Sequence, residues 1–284
     1  MASVEDPGYA LSSSSDAEHE RLLRQADWYA PYTRRLFISA GIEPGMRVLD
    51  VGCGPGDVSF LAAELVAPDG SVVGVERDAA AVENARQRAR ERGVDNVEFL
   101  LGDFRDVEPE GEPFDALIGR LVLMYQSDPS AAVAAAARHV RAGGIVAFAE
   151  MCLSHGTVDP ERTLISWPPT PAWRQLSRWV NEMHKRLGTQ TYMGYRLPET
   201  YAAAGLASCT QLEGELVLAV GDDAVDRIVN LARSFLPMIV ETGVASEAEV
   251  SIDTLADRLW ADTGAAGPMV SWPPVVGGFT TTRS

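Results

Sequence analysis

Three glycines, Gly52, Gly54 and Gly56, stand within VLDVGCGPGDVSF, Val48 to Phe60. Glycine accepts the positive φ of a tight turn and lets a ligand come close to the backbone. A short apolar strand runs into them and a helix opens directly after. The helix start offers free N–H groups and a positive dipole end. Cys53 sits inside the turn as a small packing residue. The dinucleotide fingerprint G-x-G-x-x-G wants a third glycine where this chain has Asp57. An acid there would repel a pyrophosphate and tolerates a ligand without phosphates. Glu76 ends the second strand, and a carboxylate at that place can bind the two hydroxyls of a ribose. Asp103 and Phe104 follow the third strand. A carboxylate can accept from an adenine amino group while an aromatic packs on the ring face.

The elements that must position these residues alternate. Arg47–Gly52 reads as a strand, Val58–Ala67 as a helix and Ser71–Glu76 as a strand. Asp78–Arg92 reads as a helix, with Asp78 as its N-cap and Gly93 as its stop. Val97–Asp103 and Phe114–Arg120 read as strands, Ser130–Val140 as an Ala-rich helix ended by AGG, and Ile145–Met151 as a fifth strand. Short apolar strands alternating with helices predict an α/β fold, a doubly wound and mostly parallel sheet. All three candidate binding positions then fall at the carboxyl edge, where open parallel sheets bind ligands.

Outside this run the pattern changes. Residues 1–15 are polar and Ser-rich and read as loosely held. From Asp16 apolar residues recur at helical spacing up to Phe37, with Pro31 expected to kink or split the helix. After Met151, Pro160, Pro168, Pro169 and Pro171 break the chain, as an insertion would. Leu197–Ala204 reads as a helix, Glu215–Val220 as a strand, and Asp222–Thr242 and Ser246–Asp262 as two helices. Met269–Thr281 reads as a last strand, which Pro273 and Pro274 should bulge or place at an edge. The expected organisation is a tail with lid helices (1–40), a cofactor-binding core (41–151), a cap (152–196) and a C-terminal part of the core with additional helices (197–284).

Composition narrows the function. The chain has 284 residues, and 24 Lys and Arg against 40 Asp and Glu give a net charge of −16. Nucleic-acid binding rests on phosphate neutralisation by basic side chains, so no nucleic acid is expected. Three scattered cysteines suit neither a disulfide framework nor a zinc cluster, and no metal is expected. No secretory signal and no membrane-length apolar run is visible, so the chain reads as cytoplasmic. Arg86, Arg88, Arg90 and Arg92 read as a solvated helix face.

VLDVGCGPG, VVGVERD, the GD of LLGDF, RLVLMYQSDP and RHVRAGGIVAFAE together resemble the class I S-adenosylmethionine-dependent methyltransferases, with the ubiquinone/menaquinone-biosynthesis-like small-molecule branch the nearest look. The resemblance covers about Leu36 to Met151. It implies a seven-stranded sheet with an antiparallel last strand and S-adenosylmethionine as cofactor. It implies that Gly52, Cys53, Gly54 and Gly56 hold the methionine part and Glu76 the ribose. Arg77, Asp103 and Phe104 would lie near the adenine, and Arg120 and Leu121 would line the sulfonium side. Branch members often carry His where this chain has Tyr125.

The expected reaction is in-line methyl transfer to an oxygen, nitrogen or carbon of a small-molecule acceptor, an aromatic, quinone-like or polyketide-like natural product. Base candidates are His155, Glu150, Tyr125 and His184. Trp28, Tyr29, Tyr32, Trp167, Trp173 and Tyr192 could enclose the acceptor; otherwise they are the cap's own core. A homodimer is compatible with the sequence. Two alternatives stay open: a protein of this fold that binds the cofactor without methylating, as a cyclisation catalyst or binding module, and a nicotinamide-dependent oxidoreductase.

Overall fold

The computed structural model describes residues 16–153 and 166–283. A helix α1 (Asp16–Ala40) leads into β1 (Arg47–Val51), α2 (Asp57–Val66), β2 (Ser71–Glu76), α3 (Ala79–Arg92), β3 (Val97–Leu101), β4 (Phe114–Arg120), α4 (Pro129–Ala137) and β5 (Val140–Met151). Next come β6 (Ser166–Trp167), α5 (Pro171–Arg186), α6 (Met193–Ala203), β7 (Leu212–Glu215) and β8 (Leu218–Val220). The chain closes with α7 (Gly221–Glu241), α8 (Glu247–Val250), α9 (Ile252–Thr263), β9 (Met269–Ser271) and β10 (Val275–Thr281).

The main sheet has seven strands in the order β3-β2-β1-β4-β5-β10-β7. β1 through β5 pair in parallel, and β10 runs antiparallel to both β5 and β7. The interior strands β1, β2 and β4 are apolar and nearly all buried, as a sheet covered on both faces requires, while the edge strands β3 and β7 are partly exposed. The strand order reverses between β1 and β4. A crevice opens there at the carboxyl edge, and the glycine turn after β1 lies at it.

Several local expectations change in the tertiary context. α1 runs through Pro31 as one helix. Losing a backbone hydrogen bond and accommodating the ring costs about 3 kcal/mol. Burying Tyr29, Tyr32, Leu36 and Phe37 on one face offsets it. α4 ends at Ala137, and AGG belongs to β5, where the pairing with β4 shifts register. The predicted strand Glu215–Val220 divides into the end of β7 and β8, and the predicted last strand divides into β9 and β10. β8 and β9 pair with β6 in a separate three-stranded sheet. Pro273 and Pro274 therefore mark the crossing from one sheet to the other, and β10 is an interior strand rather than an edge. The predicted helix from Ser246 breaks at Ser251, whose φ is +46°.

α6 packs on β5 and β10 as a core helix. α5 comes from the segment after β5, and α7, α8 and α9 come from the segment between β7 and β10. α5 packs on α7 and α9, and α7 packs on α1. The cap is thus built from two chain segments and rests on the N-terminal helix. Among the described residues no helix is long and apolar enough to cross a membrane, and no group of three or more His, Cys, Asp or Glu could hold a metal ion.

Candidate active site at the carboxyl edge of the sheet

The turn after β1 uses its glycines differently. Gly56 has φ +88°, and a Cβ built there would lie 2.8 Å from Phe99 Cζ, so its backbone is packed from beneath. Gly54 has φ +52° and a Cβ there would meet nothing within 4 Å. The open side of the turn is therefore at Gly54, facing away from the protein. Cys53 is buried under the turn beside Phe60, Val82 and Phe99, and burial pushes its thiol pKa well up.

Glu76 ties the turn to the end of β2. Its Oε2 accepts from Gly54 N–H at 3.2 Å, and its Oε1 accepts from the N–H groups of Arg77 and Asp78 at 2.8 and 3.0 Å. A carboxylate has about four lone-pair sites, so room is left for one or two donors. Arg77 stands exposed beside it. The Glu76→Ala variant is expected to weaken S-adenosylmethionine binding by about 1.5–3 kcal/mol, roughly ten- to a hundredfold. Calorimetric titration measures this, and unchanged affinity would remove Glu76 from the ribose.

Asp103 is engaged more fully than its sequence position suggests. Arg105 binds it through Nε at 2.9 Å and Nη2 at 2.5 Å, and the Arg105 N–H donates to the same carboxylate. These bonds hold the Asp103 carboxyl below the usual range. Phe104 is buried in the main core.

The arginines of α3 do not form a uniform solvated face. Arg88 lies largely out of solvent, 2.5 Å from Asp57 Oδ1, and donates to the Pro55 carbonyl at 2.5 Å. It thereby clamps the glycine turn and neutralises the acid at the start of α2. Arg86 donates to the Phe99 carbonyl, while Arg90 pairs with Glu83 in solvent.

Asp50, in the middle of β1, was not singled out from the sequence. It is buried, accepts from Ser59 Oγ at 2.6 Å, and desolvation raises its pKa to about 7. An acid inside the apolar string VLDV was the available signal, since buried Asp is rare unless partnered. Arg120, at the end of β4, sits in the field of Asp57 and Asp50. Burial lowers its pKa, and Nη1 donates to Thr33 Oγ1 on α1 at 3.1 Å. Thr33 in turn donates to the Tyr29 carbonyl. This contact fastens the N-terminal helix to the crevice.

Leu121, next along, has φ +58° without being glycine. Such backbone costs on the order of 1–3 kcal/mol and persists only where its surroundings hold it. Glu150 does the holding. Its side chain is fully buried, and its two oxygens accept from Val122, Leu123 and Met124 N–H at 3.0, 2.8 and 3.2 Å. Desolvation raises its pKa to about 7 in spite of these bonds. The expectation that Glu150 acts as a base is corrected: its oxygens are consumed by backbone donors in the interior.

The other candidates separate. Tyr125 closes the short turn held by Glu150 and is half-buried. His184 is buried between α5 and α7, edge-on to Phe235 with centroids 5.7 Å apart and 3.3 Å from Thr189 Oγ1, so it belongs to the cap interior. His155 lies outside the described residues. Trp28, Tyr29 and Trp173 meet where α1 adjoins the cap, together with Trp272, which the sequence reading passed over. Tyr32 faces the sheet instead and donates to the Glu213 carbonyl at 2.9 Å. Trp167, in β6 of the small sheet, is 70% exposed and is not part of that cluster. Tyr192 is half-buried at the start of α6, beside Gln190, whose N–H bonds the Met124 carbonyl.

Residues 42–200, more than half of the chain, match the model of a family described as Methyltransferase domain. The chain is 30% identical over 209 residues to aklanonic acid methyltransferase DauC of Streptomyces sp. strain C5, covering 67% of this chain and 93% of that protein. It is 36% identical over 118 residues to nocamycin O-methyltransferase of Saccharothrix syringae, 42% of each chain. Its fold is similar to that of a geranyl diphosphate methyltransferase solved in complex with S-adenosylmethionine. There the TM-score is 0.54 at 19% identity, over 97% of this chain and 94% of that one. The sheet order, the glycine turn at the switch point and these matches agree. The chain belongs to the class I S-adenosylmethionine-dependent methyltransferases, and S-adenosylmethionine is its cofactor.

Proposed function

We propose that this enzyme methylates an oxygen of a small aromatic natural product held between α1 and the cap. The observation that carries this reading is the indole cluster of Trp28, Trp272 and Trp173, placed by α1 beside the carboxyl edge of the sheet. Aromatic rings supply large apolar contact in binding sites. The names of the two relatives, one an aklanonic acid methyltransferase and one an O-methyltransferase, support a small-molecule oxygen acceptor.

The residues present fit the cofactor. The open side of Gly54 leaves backbone accessible where a side chain would stand, and the start of α2 carries no side-chain cap. In this reading Gly52, Gly54 and Gly56 hold the methionine part and Glu76 takes the ribose hydroxyls. Arg77, Asp103 and Phe104 bound the adenine, and Arg120 and Leu121 border the sulfonium. S-adenosylmethionine supplies an electrophilic methyl group on a positive sulfonium. The chain's contribution is to orient an acceptor oxygen in line with the S–CH₃ bond and exclude water. Leu121 and the turn held by Glu150 set the wall of that space, and α1 with the cap closes it. Among the described residues Tyr125 is the base candidate: as a phenolate it would take the acceptor's proton and become the neutral phenol as the methyl is transferred.

The test is incubation with methyl-labelled S-adenosylmethionine and a panel of phenolic and carboxylic aromatic acceptors. Label in the extracted product, on oxygen, is expected. Acceptor converted while the label stays on the cofactor would replace methylation by another chemistry. A competing titration with NADH and NADPH should show no binding.

A further inference from the structure

Buried hydrogen-bond donors without acceptors are rare in native proteins, and each costs on the order of a hydrogen bond or more. Two residues of the aromatic cluster carry such donors. Arg227, on α7, has its Cζ 3.8 Å above the Trp28 ring. Its Nε and Nη1 are out of solvent and donate to no acceptor. Asp223 Oδ2 lies 2.9 Å from Nε as an ion pair, but the N–H is not directed at it, and Asp223 itself is mostly exposed. Trp173, 1% exposed, has its indole Nε1 buried and unpartnered as well.

The two residues are joined by rings. Trp28 meets Trp272 edge-on at 5.5 Å, and Trp272 stacks on Trp173 at 5.5 Å and 21°. The run is therefore a cation at one end, a neutral donor at the other, and indoles between. Its cationic donors favour a charged oxygen, since hydrogen bonds to ionised groups are about twice as strong as neutral ones. Its neutral donor suits a hydroxyl or carbonyl oxygen.

We infer that this cluster is the recognition site for the methyl acceptor, and that the acceptor is a planar fused-ring aromatic acid. Arg227 takes its carboxylate, Trp173 Nε1 donates to a distal oxygen, and Trp28 and Trp272 line the rings. The inference rests on the methyltransferase reading and specifies its substrate class. It explains why α7 and α1 both reach this point: Trp28 is one residue from Tyr29, whose carbonyl accepts from Thr33, and Thr33 holds Arg120 at the crevice. Trp28, under the Arg227 guanidinium, and Thr33, which holds Arg120 at the crevice, are thus on one helix, α1.

The test uses the full chain loaded with S-adenosylhomocysteine and calorimetric titration of three probes: 6-hydroxy-2-naphthoate, its carboxamide, and 2-naphthoate lacking the hydroxyl. Saturable binding of the hydroxynaphthoate is expected, with the carboxamide weaker by about ten- to a hundredfold. Arg227→Met should bring acid and carboxamide to equal affinity. Trp173→Phe keeps the ring stack and deletes only the N–H. It should lower affinity for the hydroxynaphthoate several-fold while leaving 2-naphthoate unchanged, and it decides the matter if Arg227→Met fails to fold. S-adenosylhomocysteine affinity should stay the same in both variants. No saturable binding of the acid, equal binding of acid and carboxamide to the parent protein, or an acid preference that survives Arg227→Met would overturn the inference. Failure of S-adenosylhomocysteine itself to bind the parent protein would instead strike at the methyltransferase reading.

Discussion

The Glu150→Ala variant is expected to lose about 3–5 kcal/mol of folding stability and, in whatever fraction remains folded, nearly all activity. The carboxylate is the acceptor for three consecutive backbone N–H groups in the interior. Its removal leaves them buried and unpaired, at roughly 1–3 kcal/mol each before relaxation. The same turn carries Leu121 in left-handed backbone, so removing its anchor releases a strained segment at the crevice. Denaturant unfolding measures the first effect. A loss below about 1 kcal/mol would show that the turn is held by other contacts.

The charge of Glu150 also gives stability a pH dependence. Its pKa is about 7 in the folded protein against 4.5 as a free side chain, because burial disfavours the ionised form. The folded state therefore binds the proton more tightly than the unfolded state. The stability this gives is fully present below 4.5 and is lost as pH rises towards 7, by about 3 kcal/mol. Asp50 acts in the same direction over a similar window, from 3.8 to about 7. Glu150→Gln cannot ionise, so the decline between those values should shrink by about half, with the Asp50 part left. A decline as steep as in the parent protein would assign it to Asp50 and other groups.

The second large effect separates two glycines that look alike in sequence. Gly56→Ala should destabilise the fold by about 2–5 kcal/mol, combining left-handed backbone with overpacking against Phe99 and Phe60. Gly54→Ala meets no protein atom. It should cost only the backbone penalty of about 1–2 kcal/mol and leave the protein folded. In the proposed site its methyl group would fill the face offered to the cofactor, so affinity for S-adenosylmethionine should fall by about a hundredfold, on the scale of an overpacked contact. Thermal unfolding and titration on both variants check the pair. Equal damage to folding from the two would mean that the open side of the turn is not at Gly54.

Much of this was legible from local chemistry. The alternation of apolar strands and helices set the doubly wound fold, because strands covered on both faces must be apolar throughout and short βα connections admit few topologies. The glycine turn and Glu76 were readable because backbone conformation and a strand end are local properties. Asp78 and Gly93 bound α3 as expected for the same reason. What the sequence could not decide depends on contacts between distant segments. Glu150 looks like a free acid at a strand end until the turn after β4 folds over it. The four arginines of α3 share one spacing, and only the approach of Asp57 and Pro55 makes Arg88 a clamp. Trp167 and Trp173 lie in one aromatic stretch, yet the small sheet turns the first to solvent while α5 buries the second. The cap itself is assembled from segments on either side of β7, and Arg227 meets Trp28 across nearly two hundred residues of chain. Periodicity and turn chemistry act over a few residues; burial of a charge, and the partner that satisfies it, are settled only when the whole chain is packed.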